Sequence, residues 1–330
     1  MTGGIPVVHW DDGNTAWLAA RREGISASDI AAVLGFGPYR TPWEVWADKT
    51  GQPTRTFDAT REYVRLGVAL EPWLLAQAVH ILGTPARRTD ARLYAHPRHH
   101  WQLCSPDGEI DDETGIEAKT AGLASGYGIP DGWTDTHAPL GYELQCRWVM
   151  RVRGYRRMIL VALVAGLGLR TYTYERDLDV EVDMVAQVGE WRERHLVHGE
   201  EPPMTAADNQ LMDATHPSVT NDEIRLDGVD GLGELLGEYA TGLAHERDGR
   251  ARKEAATARL KRLLGGHGIG TVAGEPVVTW NTKRGQVDWP AITEDLVEIA
   301  GWTGPLLDME ALLDQYRKPS SRSINVKGYR

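Results

Sequence analysis

Only two cysteines, Cys104 and Cys146, occur in the 330 residues. They cannot build a disulfide framework or a four-thiolate cluster, so an intracellular, reducing compartment, the cytoplasm, is the expectation. No apolar run approaches the ~18 residues of a membrane span, and the N-terminus has neither a basic flank nor an apolar signal core. No membrane partner is therefore expected. Positive charge is also in deficit: 36 Lys and Arg against 47 Asp and Glu leave a formal net charge of −11. That balance argues against a protein that coats nucleic acid with a broad basic surface. It leaves room for a nuclease, which needs only a local basic track and whose metal site is itself a concentration of acids. There is no Gly-x-x-x-x-Gly-Lys loop, hence no sign of an ATP-driven motor, and no repeat of 20 to 50 residues. Ser125, in Gly122-Leu123-Ala124-Ser125-Gly126, is misplaced for a nucleophile elbow. His96, His99 and His100 have no further Cys or His at ligand spacing, so they read as a loop and not a zinc site.

What is present is enough apolar side chain, 42% of the sequence, for a real core and for two domains. Residues 14–22 read as a helix, and a second starts at Ser26 with Asp29 three positions on, a capping-box arrangement. Thr41 caps a third, with Pro42 first in the helix, Glu44 in the box and Gly51 as the stop. Residues 60–82 form a longer helix, kinked at Pro72 and ending at Gly83. Strands are expected near 88–95, 101–105, 109–112 and 115–120. The Gly-rich stretch 121–141 reads as a loop, in which Trp133 is a candidate to stack on a base. Pro139 opens a helix with Leu140, Leu144 and Trp148 on one stripe and Gly154 as its stop. The apolar run 157–165 is a central strand, a Gly166-Leu167-Gly168 turn leads to a strand at 169–174, and a helix covers 179–198. This order gives an α+β fold around a mixed sheet. Pro202-Pro203 and the polar stretch to Asp222 mark a boundary, so the domains are 1–205 and 206–330. The second holds a helix over 231–264, a hairpin over 269–281, short helices and a basic tail with Arg317, Lys318, Arg322, Lys327 and Arg330.

The chemistry concentrates in Ser105-Pro106-Asp107-Gly108 followed by Glu117-Ala118-Lys119, the only Glu-X-Lys in the chain. Glu117 and Lys119, two apart in a strand, emerge on one face. The Pro-Asp-Gly turn lets the segments around Asp107 pair as a hairpin and bring it alongside Glu117. Two hard carboxylates suit Mg²⁺ or Mn²⁺, which can polarise a phosphate and acidify a water, with Lys119 orienting that water. A surface hairpin with ordinary charges is the alternative. Two basic runs are candidate phosphate tracks or solvated faces: Arg147, Arg151, Arg153, Arg156 and Arg157, then Arg247, Arg250, Arg252, Lys253, Arg259, Lys261 and Arg262.

The stretch Trp17-Leu18-Ala19-Ala20-Arg21-Arg22-Glu23-Gly24-Ile25-Ser26-Ala27-Ser28-Asp29-Ile30 resembles the opening of the YqaJ-type viral recombinase family. That family is similar to lambda exonuclease and belongs to the PD-(D/E)XK nucleases. The likeness continues through Leu34-Gly35, Pro38-Tyr39, Thr41-Pro42, Trp46, Gly67-Val68-Ala69-Leu70-Glu71-Pro72, the Asp107 and Glu117 motifs and Tyr142-Glu143-Leu144-Gln145, over roughly residues 10 to 203. It implies a PD-(D/E)XK core in which Glu71, Asp107 and Glu117 hold metal and Lys119 serves the attacking water. The carbonyl of Ala118 would complete the shell, and Gln145 would reach the site or the DNA. Arg147 stands where the family has a second Gln, as a phosphate contact. Arg21, Ser26 and Ser28 match positions around the 5′-phosphate of a DNA end, although Ser26 and Asp29 can equally cap their helix. The implied activity is a Mg²⁺-dependent 5′→3′ exonuclease on double-stranded DNA ends, leaving 3′ tails for a single-strand annealing protein in phage-type recombination. A ring-shaped homotrimer is the implied assembly. An endonuclease or structure-specific nuclease on the same core and a non-catalytic DNA-end-binding recombination scaffold stay open as alternatives.

Overall fold

The computed structural model describes residues 3–37, 40–54, 61–122, 130–216, 222–283 and 321–326. The Pro38-Tyr39 motif, Ser125, the expected short helices before residue 321 and most of the basic tail lie outside them. Two compact units divide between Asn221 and Asp222.

The first unit begins with β1 (Ile5–Val8) and α1 (Gly13–Arg22). β2 (Ile25–Ser26) leads through a tight turn into α2 (Ile30–Val33). Ser26 caps that turn, its backbone N–H donating 3.0 Å to Asp29 Oδ2. α3 (Pro42–Thr50) starts where Thr41 Oγ1 accepts from the Glu44 N–H and stops at Gly51, whose φ of 77° suits glycine. Next comes α4 (Glu62–Leu82), with Pro72 inside it. Strands β3 (Leu93–Ala95), β4 (Gln102–Cys104), β5 (Gly108–Asp111) and β6 (Thr114–Ala121) follow. Then α5 (Leu140–Arg153), β7 (Arg157–Val164), β8 (Gly168–Glu175), α6 (Leu178–Arg192) and α7 (Asn209–Thr215) complete the unit.

Two four-stranded mixed sheets result, in the orders β1-β3-β4-β2 and β5-β6-β7-β8. This is the α+β arrangement of mixed sheets and flanking helices that the element order predicts. β1 escaped the sequence reading because Pro6 breaks its pattern; Pro lacks the N–H for a ladder, which is tolerated at the edge position that β1 occupies. β6 and β7 run parallel, with α5 as the crossover between them.

The parity of β7 sets the second sheet. Met158, Leu160, Ala162 and Val164 join the core with α5, whereas Ile159 and Val161 pack with Leu74 and Ala78 of α4. Both faces are buried, which is why the strand reads as an unbroken apolar run. On β6, Ile116 and Ala118 take the α4 side. Glu117 and Lys119 therefore face the α5 side.

One expected pairing is corrected. The strands flanking the Pro106-Asp107-Gly108 turn do not pair with each other: β4 belongs to the first sheet and β5 to the second. The turn passes the chain between sheets, and the hairpin is the next one, β5 with β6, in which Gly108 sits opposite Ile116. Residues 206–215, expected in the extension, pack on the first unit. Leu211 is fully buried against Trp43 and Ala47, and Thr41 Oγ1 donates to Asp208.

The second unit holds α8 (Leu232–Leu264) and an antiparallel sheet of β9 (Ile269–Val272), β10 (Glu275–Lys283) and β11 (Ser321–Val326) in the order β11-β10-β9. β11 was expected as part of a basic tail; its register, Val278 opposite Val326 to Lys283 opposite Ser321, makes it the third strand.

Candidate active site

The middle of β6 carries the Glu117-Ala118-Lys119 motif, and the turn before β5 delivers Asp107 beside it. Asp107 Oδ2 accepts a 2.8 Å hydrogen bond from the Ala118 N–H. Across the sheet face, α5 projects Gln145, and its amide and the Lys119 ammonium both donate to Glu117 Oε1. Glu117 is 1% exposed, and its Oε2 is buried with no hydrogen-bond partner among the described residues. A buried carboxylate oxygen left unpaired is costly, and a divalent cation is a partner of the right charge and hardness for it.

Electrostatics agree. Burial first, and then Asp107, push the Glu117 carboxyl up to about 8. Asp107 is raised by burial against the pull of Lys119 and the Ala118 N–H, and Glu71 is raised by burial and by Asp107. Burial alone would lower Lys119; the carboxylates of Glu117 and Asp107 outweigh it and hold the ammonium above its ordinary range. Three acids that resist ionisation together form a site short of positive charge. Glu71, half-buried on α4, lies within electrostatic reach of Asp107 and Glu117. Yet among the described residues no three His, Cys, Asp or Glu side chains converge as a ready-made metal cage. The residues thus fit a hard cation on Asp107 and Glu117, with Glu71 as an outlying third carboxylate.

Arg21, Ser26 and Ser28 come together as expected. Arg21 Nη2 donates to Ser28 Oγ at 2.5 Å and to Ser26 Oγ at 3.0 Å, and the two hydroxyls are 3.1 Å apart. Beneath them Asp29, fully buried, accepts from Ser26 Oγ at 2.7 Å and pairs with Arg40 at 2.7 Å and Lys49 at 3.0 Å. Ser26 therefore both caps and joins the cluster. Gly24 of the same motif allows β2 to lie against Trp101, since a Cβ there would stand 2.3 Å from the Trp101 carbonyl oxygen. A cavity of about 670 Å³ joins the two parts of the site, lined among others by Ser28, Arg40, Lys119 and Gln145.

Other expected residues stand apart. Arg147 is ion-paired with Glu143 at 2.7 Å and reaches the Glu175 carbonyl, so a phosphate would compete with a carboxylate there. The rest of that basic run is likewise neutralised: Arg151 by Glu181, Arg153 by Glu109, Arg156 by Glu113 and Arg157 by Glu175. Trp133 is 5% exposed and packed against Tyr142 and Tyr172, so its ring belongs to the core and not to a base-stacking surface. His96 is also inside, its Nδ1 accepting from the N–H groups of Arg98 and His99. The sequence reading missed Asp29 as the anchor of the Arg21 cluster. It also missed Arg88 and Arg92, which stand against Trp10 and Trp17 beside that cluster.

Comparison with known proteins covers the same region. A curated protein of Bacillus subtilis (strain 168), the uncharacterized protein YqaJ, is 32% identical over 185 residues, 54% of this chain and 56% of that protein. The match spans little more than half of that relative's length. Among solved structures, an alkaline exonuclease from Laribacter hongkongensis aligns over 56% of this chain and 94% of its own, at 21% identity and a TM-score of 0.43. A phage-related exonuclease from Haemophilus somnus 129PT aligns over 54% and 96%, at 12% identity and a TM-score of 0.38. Residues 16–156, the segment that carries Arg21, Glu71, Asp107, Glu117 and Gln145, match the family of the YqaJ-like viral recombinase domain, as the ordered motifs imply.

Proposed function

We propose that the chain is a metal-dependent DNA exonuclease of the PD-(D/E)XK type, acting 5′→3′ on double-stranded ends and leaving 3′ single-stranded tails. The observation that carries this reading is the pairing of Lys119 and Gln145 with one oxygen of Glu117 while the other oxygen stays buried without a partner among the described residues. Asp107 and Glu117 would hold Mg²⁺, with Mn²⁺ as a substitute and Glu71 near a second position. When bound, the ion supplies Lewis-acid polarisation of the scissile phosphate and acidifies water.

The protein's own groups do the rest. Gln145 fixes Glu117 in orientation. Lys119, fully charged, directs the attacking water and offsets negative charge growing on the phosphate. Water adds to phosphorus as the 3′ oxygen departs in line, and the products are a 5′-phosphate mononucleotide and a shortened strand whose new 5′-phosphate can re-enter the Arg21–Ser26–Ser28 cluster. A single-strand annealing protein would take up the 3′ tails, and a ring of three copies would keep the enzyme on its substrate.

The test is digestion of linear duplex DNA phosphorylated at one 5′ end only, in Mg²⁺ or EDTA, beside a closed circle. Loss of the phosphorylated strand alone, abolished by EDTA and lowered at least ~10²-fold by Lys119→Ala, is the expected result. Cutting of the circle replaces the reading with an endonuclease. No cleavage with any divalent metal leaves an end-binding scaffold.

A further inference from the structure

Three arginines and two tryptophans form a continuous row that begins at Arg21 of the Arg21–Ser26–Ser28 cluster. The Arg21 guanidinium stands 4.7 Å from the Trp17 ring centre, and Arg92 stands 4.2 Å from the same ring. Arg92 is also 5.8 Å from the Trp10 ring, which Arg88 approaches at 3.2 Å. The order is therefore Arg21, Trp17, Arg92, Trp10, Arg88, assembled from α1, the turn before it and the segment leading into β3. Each indole is fixed in turn. Trp17 Nε1 donates 3.2 Å to Ser105 Oγ, two residues before Asp107, and Trp10 Nε1 donates 2.8 Å to the Thr89 carbonyl.

The charge of this row is only partly offset: Glu71 acts on Arg88 and Arg92 from beyond ion-pair distance, and Asp29 lies under Arg21. Among the described residues no carboxylate lies within ion-pair distance of Arg88 or Arg92; Arg92 donates only to the neutral Asn14 amide oxygen, at 2.6 Å. In a chain with eleven more acids than bases, the row contrasts with the Arg147–Arg157 run, which is paired residue by residue. Burial, then repulsion from Arg88 and Arg21, push Arg92 below its ordinary range against the pull of Glu71. Crowding of this kind is relieved by a polyanion that spans the row. Contact with a ring also restrains each guanidinium, so less side-chain freedom remains to be lost on binding.

We propose that Arg92 and Arg88, held on Trp17 and Trp10, extend the Arg21–Ser26–Ser28 cluster into a track for the backbone phosphates that follow the terminal one on a DNA strand. This rests on the DNA reading above and adds to it a second contact surface, read by charge and not by base sequence.

The experiment uses the full chain in EDTA, so that binding is seen without cleavage, and follows the anisotropy of a labelled duplex at several salt concentrations. Arg88 is exposed, and melting curves of each variant confirm the fold. Arg88→Gln should lower the slope of log Kd against log salt by about one, and Arg88→Gln with Arg92→Gln by about two. The loss should be equal for 5′-phosphate and 5′-hydroxyl ends, whereas Arg21→Gln should erase the difference between those ends. Trp10→Ala keeps every charge, so it should weaken binding about threefold with the slope unchanged. Unaltered slopes in the arginine variants of a protein that still digests DNA in Mg²⁺ would overturn the track and spare the nuclease. If wild type neither binds nor digests DNA, both readings fall.

Discussion

Glu117 is asked to be a carboxylate in a place that favours the carboxylic acid. Burial and Asp107 raise it from 4.5 to about 8, and only Lys119 and Gln145 support the charge. The sign of the consequence is fixed by linkage. Near neutral pH the metal-free folded protein holds a proton at Glu117 that the unfolded chain has released, so stability falls as pH rises. The favourable contribution is complete below about 4.5 and is lost as pH climbs through about 8; the raised Asp107 and Glu71 act in the same direction. Thermal melting in EDTA should therefore show a decline across pH 5 to 8 that Glu117→Gln reduces. Added Mg²⁺ should reverse the decline in wild type but not in the variant, since the cation replaces the proton. A flat profile in wild type would mean that Glu117 is already ionised without metal. This residue and its partners were legible in the sequence because strand parity alone places Glu117 and Lys119 together. Asp107 reached the site by another route than expected: a turn between two sheets and the hairpin after it place it there, and a Pro-Asp-Gly triplet cannot tell that turn from a hairpin of its own.

At the scale of elements, α2 and α3 are joined through one buried acid. Asp29 takes the Arg40 and Lys49 cations, and the Lys49 side chain is itself 3% exposed. Burial alone would raise Asp29; Lys49, Arg40, Arg21 and the Ser26 hydroxyl outweigh it and hold the carboxyl far below its ordinary range. Removing one member of a buried pair strands the others, at a cost of about 3–5 kcal/mol. Asp29→Ala should thus lose about that much in urea unfolding, and should also abolish discrimination between 5′-phosphate and 5′-hydroxyl ends as Ser26 and Arg21 lose their anchor. Retained stability would show that water reaches the two cations. The capping box announced Asp29 as a local device, but its two cationic partners, 11 and 20 residues away, follow from packing and leave no local pattern. Arg88 and Arg92 were hidden for the same reason. They meet Trp10 and Trp17 only because β1 pairs with β3, whereas the basic run at 147–157, conspicuous in sequence, is matched by acids brought in from β5, β8 and α6.

For the whole molecule, ion pairing is uneven: acids silence each arginine of the 147–157 run, whereas among the described residues Arg88 and Arg92 have no such pair. Its division into units also has a measurable consequence. The polar stretch after Pro202-Pro203 resembles a linker because a short amphipathic turn looks like one, yet α7 returns to α3. Leu211 fills the space against Trp43 and Ala47, Asp208 receives Thr41 Oγ1, the hydroxyl that caps α3, and Glu201 Oε1 accepts 2.6 Å from Trp43 Nε1. A chain cut after Asn221 keeps all of these, whereas one cut after Thr205 loses Leu211 and Asp208. Burial of a leucine contributes about 1.5–3 kcal/mol and a buried hydrogen bond to a charged group about 1.5–3 kcal/mol. The 1–205 fragment should therefore be less stable than the 1–221 fragment by roughly 3–6 kcal/mol in urea unfolding. The loss should fall on the Thr41 end of α3, close to Arg40 and hence to the anion cluster, so hydrogen exchange should quicken first in α3. Equal unfolding midpoints would place α7 outside the cooperative unit and return the boundary to Pro202-Pro203.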